Sequence, residues 1–537
     1  MAKAKISKKE EARLREELQT AENPTPVPAP PDGGYGWVIV FASFISNMVV
    51  DGVGLSFGLI LPYLVEEYST TKGVAAWVGS VLAGAQMGAG PIVSAVANKF
   101  SCRTASIFGC ILASSCMALS TFCPSIPVMM VVYGVMGGTG YSFIYLPAVV
   151  MVGYYFESKR SLATGIAVCG TGVGAFAFAP LVNFLVKSYG WKTTNLCLAG
   201  ITLSCALFGA LMKPLTYEEV KEEVVQQVPA KPGVMRTRTS EGNISTPGVY
   251  NSTLSMTKRK GSLQPMARKD VLYTGSIQNL KEFQSRTSLA EYRNSVHSIQ
   301  KPKLSKRQEN SCCNLSEFFG NLVDMSLIKN PVFLVLAFAS VFAMISFYIP
   351  FVYLVELAKS KGIEESQGAM LISIIGITNI VSRLAVGYLA DFPSVNNFLV
   401  NNCCLMLAAV STAAMPLFSS FIALAILAVL FGIGIAGFIS LTSIILVEFL
   451  GLDKLTNAFG LIILFRGAAT VFGTPLAGTI YDLTKSYTIP FFVCAAGFGI
   501  ASVISMSAPC FNKKVEEKDG EVLAPMNVTE EKDQNIV

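Results

Sequence analysis

The sequence predicts an all-α polytopic membrane protein with about 12 transmembrane helices in two six-helix halves, and three observations lead there. Of 537 residues, 52% are hydrophobic and only 14% are charged, with a mean hydropathy of +0.53. A soluble globular chain carries about 25% charged residues. Apolar runs of about 20 residues, the helical length that crosses a hydrocarbon core about 30 Å thick, recur along the chain. A long polar stretch divides these runs into two sets of six. Amides facing lipid must be satisfied within their own segment, so runs of this length and Leu, Ile, Val and Phe content are helices rather than barrel strands.

Residues 1–31 are charged and Pro-rich, with Lys8, Lys9, Glu10 and Glu11, and lack the apolar core of a secretory leader. The first run must therefore direct insertion, and the tail is expected to stay cytoplasmic. The N-terminal half, 32–213, holds the runs Trp37 to Leu61, Ala75 to Val96, Ala105 to Phe122, Val128 to Gly153, Leu162 to Val186 and Thr194 to Met212. Residues 214–325 are expected to be a flexible linker. The stretch Lys213 to Asn330 is rich in Ser, Thr, Lys and Gln, has 18 Lys plus Arg against 11 Asp plus Glu, and shows no sustained apolar periodicity. The C-terminal half, 326–508, holds Pro331 to Leu357, Met370 to Ala390, Phe398 to Leu417, Ile422 to Val447, Ala458 to Tyr481 and Pro490 to Ser507, and 509–537 form a second tail.

Lys99 and Arg103 follow the second run and Lys159 and Arg160 the fourth, alternating with loops poor in basic residues. This bias predicts that both termini and the linker are cytoplasmic. The sequons at Asn243, Asn251, Asn314 and Asn527 all fall on that side and are expected to go unused. The net charge of +6 sits mainly in the tails and linker, so the lipid bilayer is expected as a partner and nucleic acid is not. Most of the 13 Cys lie inside apolar runs, among them Cys110, Cys116, Cys169, Cys197 and Cys205, and read as reduced packing residues. The pair Cys312 and Cys313 reads as free thiols, with palmitoylation the alternative. The only histidine, His297, lies in the linker, which excludes a histidine proton relay within the membrane. No run holds a metal-ligand cluster or a nucleophile and base pair, so neither a cofactor nor enzymatic chemistry is expected.

Asn98-Lys99-Phe100-Ser101-Cys102-Arg103, between the second and third runs, and Gly387-Tyr388-Leu389-Ala390-Asp391, after the eighth, stand at corresponding places in the two halves. They resemble the loop of major facilitators whose usual pattern is Gly-x-Leu-Ala-Asp-Arg-x-Gly-Arg-Arg, with Asn98 in place of the acid. Asp32-Gly33-Gly34-Tyr35-Gly36-Trp37 opens the first run, and Tyr155, Phe156, Lys159, Arg160, Leu162, Ala163, Gly165, Gly170 and Gly174 lead into and line the fifth. In register, these two motifs are similar to those of the monocarboxylate transporter family, over roughly residues 31–213 and 325–507. The resemblance implies a major facilitator fold, alternating access and a small organic monocarboxylate or zwitterion as substrate. A plasma-membrane site and a single-span accessory glycoprotein as partner follow from the same resemblance. Gly170 and Gly174 also have a physical reading, since their spacing gives the helix a flat face for close packing.

An ionisable side chain deep in a span costs about 3 kcal/mol or more unless it is paired or wet, which singles out Asp51, Arg383 and Arg466. Arg383 lies four residues after Asn379 and seven after Gly376, on one helical face, where a guanidinium can clasp a carboxylate through two parallel hydrogen bonds. The resemblance implies substrate-anion binding for Arg383. Proton-coupled members carry an aspartate where Asn379 stands and a lysine where Leu55 stands. These departures point to facilitated or exchange transport rather than proton-coupled lactate symport. Asp51, on one face with Asn47 and Leu55, either neutralises Arg383 or Arg466 or binds the cationic end of a zwitterion. Arg383, Asp51, Asn379, Asn47 and Arg466 are the residues expected to bind substrate, with Arg466 open between substrate contact, gating and structural pairing. Gln86 and Asn183 read as packing or pore-lining groups, and Pro147, Pro180 and Pro475 as kinks. A transporter-fold sensor signalling through the linker is the alternative from another class, and a proton-coupled monocarboxylate symporter is the alternative among carriers.

Overall fold

The computed structural model describes residues 30–224, 254–262, 268–286, 289–296, 325–392 and 394–511. The four sequons, Cys312, Cys313 and His297 lie outside them. The chain runs through α1 (Tyr35–Glu67), α2 (Lys72–Gly88 and Gly90–Lys99, bent by 45°), α3 (Cys102–Ser120) and α4 (Ile126–Tyr155). One continuous stretch, Arg160–Leu211, then breaks at Gly190 into α5 (160–189) and α6 (191–211). The second half comprises α7 (Pro331–Ser360), α8 (Glu365–Ala390), α9 (Asn397–Leu417), α10 (Phe421–Leu450), α11 (Leu452–Thr484) and α12 (Thr488–Phe511). With the bent pair taken as one span and the break at Gly190 as a boundary, the described residues hold the twelve spans that the apolar runs predict.

Local chemistry explains the interruptions. Gly190 has φ 78°, a left-handed conformation that costs glycine nothing and turns the chain between two helices. Pro91, in the first turn after the bend of α2, lacks the N–H that would continue the helix from Gly88. Pro147, Pro180 and Pro475 lie inside α4, α5 and α11.

The expected flat face on α5 is used against α1. A Cβ on Gly170 would stand 2.1 Å from the Phe44 carbonyl oxygen, and one on Gly174 would stand 2.3 Å from that of Met48. Between the halves, α5 meets α8 backbone to backbone, with a Cβ on Gly376 falling 2.6 Å from the Gly172 oxygen. Close approach through small residues is how helices gain dispersion contact where lipid supplies no hydrophobic drive.

The segment 214–325 is folded in part. Residues Pro214–Gln264 form a compact unit of their own, in which β1 (Thr216–Val224) pairs antiparallel with β2 (Leu254–Ser262). Residues 268–286 and 289–296 belong to the helical unit, carrying short helices Lys281–Gln284 and Leu289–Val296. Within the segment expected to be a flexible linker, these residues pack against the helices. Tyr273, Ile277, Leu280, Tyr292 and Val296 are buried in one cluster with Leu327, Phe333, Leu441 and Ile445 from the helix ends. Irregularly spaced apolar residues give no periodic signal, and only a ready-made apolar surface on the bundle turns them into a packing face.

Candidate solute cavity

A cavity of about 380 Å³ lies between the halves, the size range of small-molecule sites. Its charged lining consists of Asp51 from α1, Arg383 from α8 and Arg466 from α11. Gln86, Tyr145, Thr171, Phe347 and Tyr348 add a polar and aromatic wall.

Each charged group is held by its own half. Asp51 Oδ1 accepts from Gln86 Nε2 at 3.2 Å and Oδ2 from Thr171 Oγ1 at 2.5 Å, which ties α1 to α2 and α5. Arg383 is 8% exposed and its Nε donates to Asn379 Oδ1 at 2.6 Å, one turn back on α8. Its terminal nitrogens make no protein hydrogen bond among the described residues and are left for the cavity. Arg466 is 5% exposed, and its Nη2 donates to Thr442 Oγ1 at 2.8 Å and Ser340 Oγ at 3.3 Å. The Arg466 guanidinium also lies 4.6 Å from the centre of the Phe438 ring, a cation–π contact. Among the described residues, no ion pair joins Asp51 to either arginine. The neutralising pair that the sequence suggested is therefore not formed in this arrangement, because Thr171 and Gln86 already satisfy the carboxylate.

Of the five residues expected to touch solute, Asp51, Arg383 and Arg466 come together on the cavity, whereas Asn47 and Asn379 do not line it. Asn47 is fully buried, its Nδ2 donating to the carbonyls of Ser43 at 2.9 Å and Ala167 at 3.1 Å, so it fastens α1 to α5. Asn379 orients Arg383. Both sit on the expected helical faces, but the neighbouring helix reaches Asn47 before the cavity does. Sequence reasoning passed over Thr171, Tyr145 and Tyr348. The last two share a legible signal, a Tyr-x-Pro triplet inside an apolar run (Tyr145 to Pro147, Tyr348 to Pro350).

The two family-like motifs lie away from the cavity and against each other. Asp32 Oδ1 accepts from the backbone N–H of Glu157 at 2.6 Å and of Ser158 at 3.1 Å, and Asp32 N–H donates to the Tyr155 carbonyl at 3.2 Å. Phe156 is fully buried, edge-on to Trp37 at 5.1 Å, and a Cβ on Gly36 would stand 2.9 Å from its ring. Gly34 has φ 54°, which lets the chain turn into α1 after Gly33. Gly165 faces Leu384 of α8, where a Cβ would lie at ordinary van der Waals distance, 3.9 Å. Arg160 is 1% exposed and donates to the carbonyls of Gly153 at 3.0 Å and Phe156 at 3.1 Å. The motif pair is thus a clasp between the start of α1 and the α4–α5 loop.

The cavity runs from mid-span towards the linker-bearing end, where Asn98, Leu272, Thr456 and Asn457 line it. At the far end the halves are shut. Lys72 Nζ lies 2.7 Å from Glu356 Oε2, contacts the Tyr487 hydroxyl and sits 4.4 Å from the centre of the Tyr481 ring. Asp482 accepts from the backbone N–H groups of Lys72 at 3.2 Å and Gly73 at 2.8 Å.

A family profile described as the Major Facilitator Superfamily matches residues 36–401 and 336–526. Monocarboxylate transporter 14 of Homo sapiens is 30% identical over 494 residues, covering 89% of this chain and 91% of that protein. Monocarboxylate transporter 9 of Rattus norvegicus is 30% identical over 482 residues (86% and 90%), and monocarboxylate transporter 12 of Homo sapiens is 27% identical over 484 residues (89% and 81%). A twelve-span bundle with a polar cavity between its halves, matched over nearly its whole length by such relatives, is a membrane carrier, and the chain belongs to the monocarboxylate transporter family of the major facilitator superfamily.

Proposed function

We propose that this carrier moves a small organic monocarboxylate or zwitterion by facilitated diffusion or exchange, without obligatory proton coupling. The observation that supports this reading is the charge of the cavity: two guanidiniums, Arg383 and Arg466, face one carboxylate, Asp51, and no other Asp, Glu, Lys, Arg or His lines it among the described residues. A monocarboxylate supplies the missing negative charge, and the free terminal nitrogens of Arg383 suit a two-point grip on it. With a zwitterion, Asp51 takes the cationic end. Among the described residues, no lysine or histidine faces Asp51 across the cavity to receive its proton, and direct pairing of a titrating couple is what proton coupling would call on.

In this reading the linker-bearing end is cytoplasmic, the membrane is the plasma membrane, and an accessory single-span glycoprotein is a candidate partner. The test is uptake of labelled lactate, pyruvate, aromatic amino acids, creatine and carnitine by cells expressing wild type, Arg383→Ala or Asp51→Asn, at about pH 6 and about pH 7.5. Uptake of one of these that disappears in Arg383→Ala and ignores pH is the expected result. Strong stimulation by acid would overturn it, and so would uptake that survives loss of Arg383.

A further inference from the structure

We propose that residues 268–286 and 289–296 are an autoinhibitory strap that closes the linker-bearing mouth of the cavity, held on the C-terminal half by an apolar face and latched to the N-terminal half by a buried ionic cluster. The strap carries Leu272 into the cavity lining. Behind it, Asp270 is fully buried and receives Arg160 Nη1 of α5 at 2.8 Å on Oδ2, with the same nitrogen at 2.9 Å from the Asp270 carbonyl. Arg268 clasps the same carboxylate at 3.0 Å and 2.9 Å, and the Tyr292 hydroxyl donates to it at 3.2 Å. Arg293 Nε reaches Glu157 Oε2, on the α4–α5 loop, at 2.7 Å. Burial pushes the Asp270 carboxyl up, but Arg160 and Arg268 beside it outweigh that and hold it below the usual carboxylate range.

On the other half, Thr274 Oγ1 lies 2.6 Å from Ser443 Oγ of α10, Ser276 N–H donates to Asp391 Oδ1 at 3.1 Å, and Thr456 Oγ1 of α11 donates to the Lys269 carbonyl at 3.3 Å. Tyr273, Ile277, Leu280 and Val296 pack there as well. One short segment therefore bridges halves that must separate at this end for the mouth to widen.

The two attachments differ in kind. Released into water, the ions regain hydration that largely offsets the lost pairing, whereas the apolar face would lose about 25 cal/mol for each Å² exposed. The strap therefore leaves the N-terminal half and stays on the C-terminal one. Arg160 and Glu157, in the motif stretch between α4 and α5, are its receptor.

The experiment reads accessibility first, which needs no knowledge of the substrate. A cavity reporter, Asn457→Cys, is exposed to an impermeant maleimide from each side of sealed vesicles, and the labelled peptide is quantified by mass spectrometry. It is combined with Arg293→Glu, which opposes Glu157 with a second carboxylate, with Arg293→Lys, and with residues 268–296 replaced by a Gly/Ser stretch of equal length. Labelling from the linker-bearing side should rise several-fold in Arg293→Glu and in the replacement, and stay at the wild-type rate in Arg293→Lys. Uptake of the five-solute panel, measured without the reporter at equal surface amount, should rise in the same two variants. Wild-type labelling in both would overturn the proposal, and so would faster labelling accompanied by lower uptake, which would make the strap a working part of the carrier rather than a brake.

Discussion

The two ends of this carrier are closed by opposite means. At the far end the closure is direct: α2 of one half meets α7, α11 and the turn before α12 of the other through Lys72, Glu356, Tyr481, Asp482 and Tyr487. The Lys72 and Glu356 side chains remain 17% and 16% exposed. At the linker-bearing end the closure is indirect. A third segment lies between the halves, and its central pair, Arg160 and Asp270, is fully shielded. A gate whose charged side chains keep some contact with water can break and remake at lower cost with each turnover than a cluster shielded from water. The repeated loop shows the same division. Asp391 in the C-terminal half takes Ser276 of the strap and Ser161 of α5, while its counterpart Asn98 lines the cavity.

Breaking the far gate should have the largest effect. Lys72→Ala removes the cation shared by Glu356 and two tyrosines, and the loss of about 2 kcal/mol should favour the state open at the far end about thirtyfold. Labelling of a Leu55→Cys reporter from the far side measures it; an unchanged rate would mean the gate rests on backbone packing, such as that of Gly58 against Val352. Asp391→Ala should loosen the other end by about 1 kcal/mol, giving about fivefold faster labelling from the linker-bearing side, since the Asp391 carbonyl still receives Asn279.

Salt should separate the ends further. Raising it to about 1 M, where the screening length falls to about 3 Å, weakens the Lys72–Glu356 pair by less than about 1 kcal/mol; at the other end it reaches Arg293 but not the shielded Arg160–Asp270 pair, so far-side labelling should increase more than linker-side labelling. The smallest effect is that of pH on the strap. Because the Asp270 carboxyl is held below its ordinary value, its contribution is complete above about pH 4 and is lost only as pH falls further. Linker-side labelling, divided at each pH by that of a free model thiol to remove the thiolate dependence of the reagent, should therefore be flat from about pH 8 to about pH 5. A rise within that window would place the controlling group elsewhere.

The span pattern was legible in the sequence because a bilayer imposes a length and a polarity on each segment that no neighbour can waive. Asp51, Arg383 and Arg466 were legible for the same reason, being charges where lipid forbids them unless the fold uses them. Asn47 misled because an uncharged amide is as readily spent on a neighbouring backbone, here Ala167, as on a cavity wall. Thr171 was invisible because a threonine within a small-residue face announces packing, and only the approach of α1 to α5 turns its hydroxyl onto Asp51.

By itself, then, the sequence determined the solvent, the twelve spans, the two halves and which charges lie within the membrane, all properties of single segments. Tertiary structure decided what those charges touch, that the two motifs clasp each other, and that part of an apparently plain linker is a strap. Those outcomes depend on which surfaces meet across more than a hundred residues of chain, as Arg160 and Asp270 do. Local composition carries no trace of a partner that distant, because the apolar surface and the opposite charge that order the segment belong to other helices.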